Sequence, residues 1–118
     1  MTKWIDYQGT RVLLIDYSGL KEDALLKAFL EVEAFIINSG VKNIIELVDF
    51  TDTYTNMSAF EQLKRTSARL KPYVGRTAVL GLSGIKVTLL DILVRVTGRS
   101  TMRAFHDKEL ALKWLVAK

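Results

Sequence analysis

Apolar and polar positions change their period several times along the chain, and each change marks an element. Trp4 to Tyr7 and Arg11 to Asp16 are short β-prone runs on either side of Gln8-Gly9-Thr10, which predicts a β-hairpin. Val12-Leu13-Leu14-Ile15 is continuously apolar, as in a strand covered on both faces. Ser18-Gly19 then opens a helix from about Lys21 to Asn38, in which Leu25, Phe29, Val32 and Ile36 recur at helical spacing and Leu26 and Ile37 widen the stripe. Glu22 and Asp23 sit at its start, where carboxylates suit the positive end of the macrodipole, and Ser39-Gly40 ends it. Asn43 to Phe50, rich in Ile, Leu and Val, reads as a strand.

A polar loop, Thr51 to Asn56, leads to a second helix that runs to about Lys71, where Pro72 halts it. Ser58 or Asn56 can cap this helix, Glu61 stands at capping-box spacing from Ser58, and Phe60, Leu63 and Leu70 mark the inner face. Arg76 to Leu80 is the next strand. Gly81-Leu82-Ser83-Gly84 turns the chain into a third helix, Ile85 to Val96, that ends at Gly98, with Ser83 as its expected N-cap. Thr101 to Phe105 is the last strand, and Asp107 caps a terminal helix with Leu110, Ala111, Trp114 and Leu115 inward. The order ββαβαβαβα predicts an α/β fold: a largely parallel sheet with one antiparallel strand from the opening hairpin. No linker, repeat or low-complexity run interrupts it, so residues 1–118 are expected to form one domain.

The third helix stands apart. Ile85, Leu89, Ile92, Leu93 and Val96 form one apolar stripe, and Val87, Leu90 and Val94 form a second. A helix apolar around most of its circumference must be buried. One face can meet the sheet. The other, with Val87, Leu90 and Val94 as interface candidates, calls for the terminal helix, a second subunit or other partner, or an apolar ligand.

Composition narrows the chemistry. The chain has no Cys, which removes disulfides, thiolate zinc sites and thiol catalysis. With a single His, a metal centre is not expected. No glycine-rich phosphate loop or dinucleotide fingerprint occurs, so no cofactor is called for. No run approaches the roughly 20 apolar residues of a membrane span, and the first residues lack a signal-peptide core, so the expected location is cytoplasmic. The net charge of +4 conceals an acidic first half and a basic block, Lys64 to Arg103. Such a block suggests an anionic partner or a solvated face. Only Tyr73 interleaves it with an aromatic, which does not suit single-stranded nucleic acid.

In open parallel sheets, ligands bind at the carboxyl ends of the strands. That edge receives Asp16-Tyr17-Ser18-Gly19, Asp49 to Thr53, Gly81 to Gly84, and Phe105-His106-Asp107. Each cluster precedes a helix start, where free N–H groups favour an anion, yet the same residue types also serve simply as caps. The candidate ligand or partner residues are therefore Asp16, Ser18, Asp49, Thr51, Asp52, Thr53, Ser58 and Ser83. Gly81-Leu82-Ser83-Gly84-Ile85 has the setting of a nucleophile elbow, but Ile85 stands where that motif needs Gly.

The element order and the phrases Leu14-Ile15-Asp16-Tyr17-Ser18-Gly19-Leu20, Leu47-Val48-Asp49-Phe50-Thr51 and Ala78-Val79-Leu80-Gly81-Leu82-Ser83-Gly84 resemble the SpoIIAA-like family of small bacterial proteins. That family is related to STAS domains (sulfate transporter and anti-sigma-factor antagonist) and to the lipid-binding CRAL-TRIO lobe. The resemblance covers nearly the whole chain. It implies a mixed four- to five-stranded sheet with helices banked largely on one side, and binding or regulation rather than catalysis. Related antagonists are phosphorylated in an Asp-Ser-Ser-Gly-type motif at the start of the second helix. That motif is absent here, and Ser58 matches by position alone as a candidate phosphorylation site.

Three functions follow. The first is a non-catalytic STAS-like module that binds a protein partner or a small ligand at the rim above Asp49 and Ser58, with the third helix as a second surface for a partner or a second copy. The second is a carrier of an apolar or lipid ligand, motivated by the third helix. The third is a minor serine hydrolase using Ser83.

Overall fold

The computed structural model describes residues 1–118. Its elements are β1 (Thr2–Tyr7), β2 (Thr10–Asp16), α1 (Glu22–Ser39), β3 (Ile44–Asp49), α2 (Met57–Leu70), β4 (Val74–Leu80), α3 (Ile85–Thr97), β5 (Met102–Phe105) and α4 (Lys108–Val116). The ββαβαβαβα order expected from the periodicity is the observed one, with boundaries moved by a residue or two.

β1 and β2 form the antiparallel hairpin, with Tyr7 opposite Thr10. Gln8 and Gly9 both hold positive φ, 51° and 81°, which is the twist of a two-residue type I′ turn. The Asp6 carboxylate accepts from the Gly9 N–H at 2.9 Å and fixes that turn. β2, β3, β4 and β5 then pair in parallel, giving a five-stranded sheet in the order β1-β2-β3-β4-β5.

The strands run across the sheet in chain order, and right-handed crossovers in such a sheet put every connecting helix on the same face. α1, α2 and α3 accordingly share one face. Leu13, Ile15, Ile44 and Val48 meet Leu25, Phe29, Val32 and Ile36 of α1 and Ala59 and Leu70 of α2 in the larger core. α4 is followed by no strand and closes the opposite face. There Val12, Leu47 and Ala78 pack on Ala111, Leu112 and Leu115. Arg76 secures its end, donating to the carbonyls of Trp114 at 2.8 Å and Ala117 at 2.6 Å, among the last carbonyls that a helix terminus cannot bond within itself.

Two details of the helices differ from expectation. Leu110 of α4 points outward at 57% exposure, and Leu112 takes the inner position beside Ala111 and Leu115. α3 is not covered by α4, which lies across the sheet. Its neighbour is α2, and it buries only Leu93, against four residues in α1.

Since α4 alone covers its face, a cavity there has nothing to collapse onto. Leu115→Ala is expected to cost about 2–5 kcal/mol in urea unfolding, whereas Val87→Ser on the outward side of α3 costs about 0.5 kcal/mol or less.

Candidate functional site

The carboxyl edge of the sheet brings the predicted rim residues close together, but as closed turns. The Asp16 carboxylate accepts from the Ser18 N–H at 2.9 Å, and this bonding to Ser18 holds its carboxyl below the usual aspartate range. The Asp49 carboxylate accepts from the Thr51 N–H at 2.8 Å and the Thr51 hydroxyl at 2.6 Å. The Tyr17 N–H donates to the Asp49 carbonyl and the Gly19 N–H to the Thr51 carbonyl, which zips the two turns together. Gly81 lies against them with φ +80°. A Cβ there would stand 2.4 Å from Thr51 Oγ1 and 2.5 Å from Thr51 N, so only glycine fits.

The remaining candidates scatter. Asp52 is exposed, and its backbone is left-handed with φ 56°. Ser58 is exposed in the first turn of α2, but Asn56 is the cap, its side chain accepting from the Ala59 N–H at 2.9 Å. Glu61 makes no capping box and instead pairs with Lys64 at 2.7 Å. Ser83 is exposed and does not cap α3, whose N-cap is Gly84 with no side-chain bond. Asp107 does cap α4, accepting from the Glu109 N–H at 2.7 Å.

Thr53 alone of the rim set turns inward. It is buried, its hydroxyl donates to the Phe50 carbonyl at 2.9 Å, and it lines a cavity between the sheet and α2 and α3. Fourteen of the nineteen residues around this cavity are hydrophobic, which sets its character. Val48 and Val79 form its floor, Phe60 and Leu63 the α2 wall, and Leu89, Leu90 and Leu93 the α3 wall. The space, partly open on one side, offers about 70 Å³ to the centre of a water-sized sphere.

The inner face of α3 is thus Lys86, Leu89, Leu90 and Leu93, a spacing of three, one and three residues. This cuts across the two stripes read from sequence. Of the interface candidates, Leu90 faces the cavity and Val94 is half-buried, while Val87 stays exposed at 42%. Ile85, Ile92 and Val96, expected on the inner stripe with Leu89 and Leu93, are exposed on the outside. Lys86 reaches inward because its long stem can lie along apolar surface while its ammonium finds a polar partner. That partner is the Thr53 carbonyl, bonded closely by Nζ.

At the inner end sits a group that sequence reading missed. Glu46 of β3 and Thr77 of β4 are side by side in register, and Arg99 reaches them from the segment after α3. All three are at most 5% exposed. The Thr77 hydroxyl donates to Glu46 Oε1 at 2.8 Å, and the Arg99 guanidinium donates to the Thr77 oxygen at 2.6 Å while lying 3.5 Å from Glu46 Oε1. Burial outweighs the attraction of Arg99 and the bond from Thr77, and it pushes the Glu46 carboxyl above the usual glutamate range. The neighbouring Tyr17 phenol is pushed well up, by its own burial first and by the Glu46 charge second. Glu46 Oε2 finds no hydrogen-bond donor in the chain.

The basic block is largely occupied within the fold. Arg76 caps α4, Arg99 serves Glu46, Arg69 pairs with Glu33 at 3.1 Å, and Lys64 and Lys86 are engaged as described. No group of three or more His, Asp or Glu side chains is placed to hold a metal ion, and no helix is long and apolar enough to cross a membrane.

The fold is SpoIIAA-like. The structure matches, at TM-score 0.69, a crystal structure of a DUF3478-family protein with a SpoIIAA-like fold from Shewanella loihica PV-4. The two are 19% identical, and the match covers 98% of this chain and 92% of that one. No protein-family model matches the sequence, and no curated protein matches it.

Two outcomes test the buried cluster. Arg99→Met leaves a buried carboxylate without its counter-charge and is expected to cost about 3–5 kcal/mol at neutral pH, whereas Glu46→Leu/Arg99→Met, which removes both charges, should recover most of that loss in urea unfolding. For pH, the folded chain holds the Glu46 proton to a higher pH than the unfolded chain. The linked stability is complete below the ordinary glutamate pKa and is lost as pH rises through the raised one. Unfolding free energies measured across that window should decline for the native protein and lose this component of the decline in Glu46→Gln.

Proposed function

We propose that the protein is a non-catalytic binding module of STAS-like architecture whose ligand is a small apolar molecule seated between the sheet and α3. The observation that carries this reading is the cavity itself: a partly open, mainly hydrophobic space bounded by Val48, Val79, Leu63, Leu89, Leu90 and Leu93. Protein interiors are packed to the density of organic crystals, and voids of this kind are few. Concave, mostly apolar sites with a small number of polar groups are where small molecules bind.

The size of the space bounds the ligand. A cavity of roughly 150 Å³ takes up benzene. Here the corresponding volume is about 70 Å³. A ring or short chain therefore fills it only by extending through the open side or by displacing α3, the helix that buries the fewest residues of the three on this face. The carrier reading suggested by the apolar third helix is favoured over binding at the rim, where Oδ1 of Asp16 and of Asp49 is taken up by its own turn. It is also favoured over hydrolysis. Ser83 lies exposed on a turn that lacks the second glycine of a nucleophile elbow, and it does not line this cavity.

Toluene tests the reading. It should raise the midpoint of thermal unfolding in a saturable way, with a stabilisation of about 2.7 kcal/mol at a hundred times its Kd. Leu90→Trp, which fills the space from the α3 wall, should abolish the effect while leaving the circular dichroism spectrum unchanged. A midpoint indifferent to toluene in the native protein would count against an apolar site.

A further inference from the structure

Three of the polar side chains along the cavity wall are engaged within the chain. The Thr77 hydroxyl donates to Glu46 Oε1 and accepts from Arg99. The Thr53 hydroxyl donates to the Phe50 carbonyl, and the Lys86 ammonium donates to the Thr53 carbonyl. The Tyr17 and Thr55 hydroxyls, which also line the space, make no hydrogen bond within the chain, and one fully buried acceptor is left without a donor. Glu46 is 4% exposed, lines the inner end of the space, and its Oε2 receives no hydrogen bond from the chain. A buried acceptor left without a donor costs on the order of 1–3 kcal/mol, more when charged, so a ligand that supplies the donor gains what the fold forgoes.

We propose that the cavity selects a neutral hydroxyl-bearing apolar ligand, an alcohol or phenol, whose O–H is received by Glu46 Oε2 while its hydrocarbon body lies against Leu89, Leu90 and Leu93. This deepens the apolar-site reading and rests on it. Charge decides the class of head group. The Glu46 charge is already matched by Arg99 at 3.5 Å. An ammonium head would bring an unmatched cation into a low-dielectric site that also holds Lys86, and a carboxylate head at Oε2 would face the Glu46 charge, with Lys86 held away on the Thr53 carbonyl. A hydroxyl avoids both costs. It can donate to Oε2 when Glu46 is ionised and accept from it when Glu46 is protonated, which suits a carboxyl raised by burial.

The test compares four molecules built on one ring: toluene, benzyl alcohol, benzylammonium and benzoate, titrated by NMR against the intact protein. Benzyl alcohol is expected to bind about tenfold more tightly than toluene, as one hydrogen bond to a charged group allows, and both charged analogues more weakly than toluene. The Glu46 carboxyl carbon should shift on adding benzyl alcohol and stay in place with toluene, a readout that needs no variant. In Glu46→Leu/Arg99→Met the advantage of the alcohol should vanish while toluene still binds. If toluene binds but the alcohol binds no better, if a charged analogue binds best, or if the Glu46 carbon does not respond to the alcohol, the hydroxyl assignment is overturned and the apolar site stands. If none of the four binds, both fail.

Discussion

Crossover handedness decides most of this architecture. Four parallel strands lie in chain order, and three right-handed connections deliver α1, α2 and α3 to one face. Helices of 18, 14 and 13 residues must then share a surface that ends in a strand of only four. α1 and α2 pack against each other over the middle of the sheet and take its most apolar positions. α3 arrives last, above β4 and β5, where the surface below it is narrow. The cavity lies beneath that third helix, over β3 and β4. α4 lies on the other face and seals it alone.

The same geometry accounts for the buried ion pair. Alternation along a strand sends Glu46 and Val48 to one side and Leu47 to the other, and pairing in register places Thr77 beside Glu46. A carboxylate so placed cannot reach solvent, and an isolated buried charge is prohibitively unfavourable. Arg99 resolves this from just beyond Gly98, whose left-handed backbone ends α3 and turns the chain inward. The ion pair therefore joins the end of α3 to the middle of the sheet. It holds the helix at the cost of one carboxylate oxygen that the fold leaves without a donor.

Much of the fold was legible because local signals agreed with one another. The 3.6-residue stripe of α1 named Leu25, Phe29, Val32 and Ile36, and these are its four buried residues. Gln8-Gly9 named the hairpin. The candidate site was less legible, for two physical reasons. A helix with apolar residues on nearly every side has no period to say which side faces in, so Leu90 and Ile92 could not be sorted, and Lys86 argued against the face it occupies. The Glu46–Thr77–Arg99 group unites residues from three distant segments, which no local window contains. One signal for it was present: a single carboxylate within Ile44-Ile45-Glu46-Leu47-Val48, a run otherwise apolar and bound for the interior, must have a buried partner elsewhere. At the rim, serine and aspartate read as ligands or as caps with equal ease; the backbone took Asp16, Asp49 and Asp107, while Ser58 and Ser83 cap nothing.

The contact of Gly81 with Thr51 has an evolutionary consequence. Where the loops after β3 and β4 meet, glycine brings one chain against the backbone of the other, with no side chain between them. The spacing of those loops, and with it the starting point of α3, is set by main-chain geometry common to any sequence that keeps that glycine. The α3 wall of the cavity, in contrast, is made of the aliphatic side chains Leu89, Leu90 and Leu93. The loop frame and the α3 wall are thus encoded in separate sets of positions, so descendants of this chain can reshape that wall without rebuilding the frame, whereas Glu46 belongs to both the ion pair and the cavity.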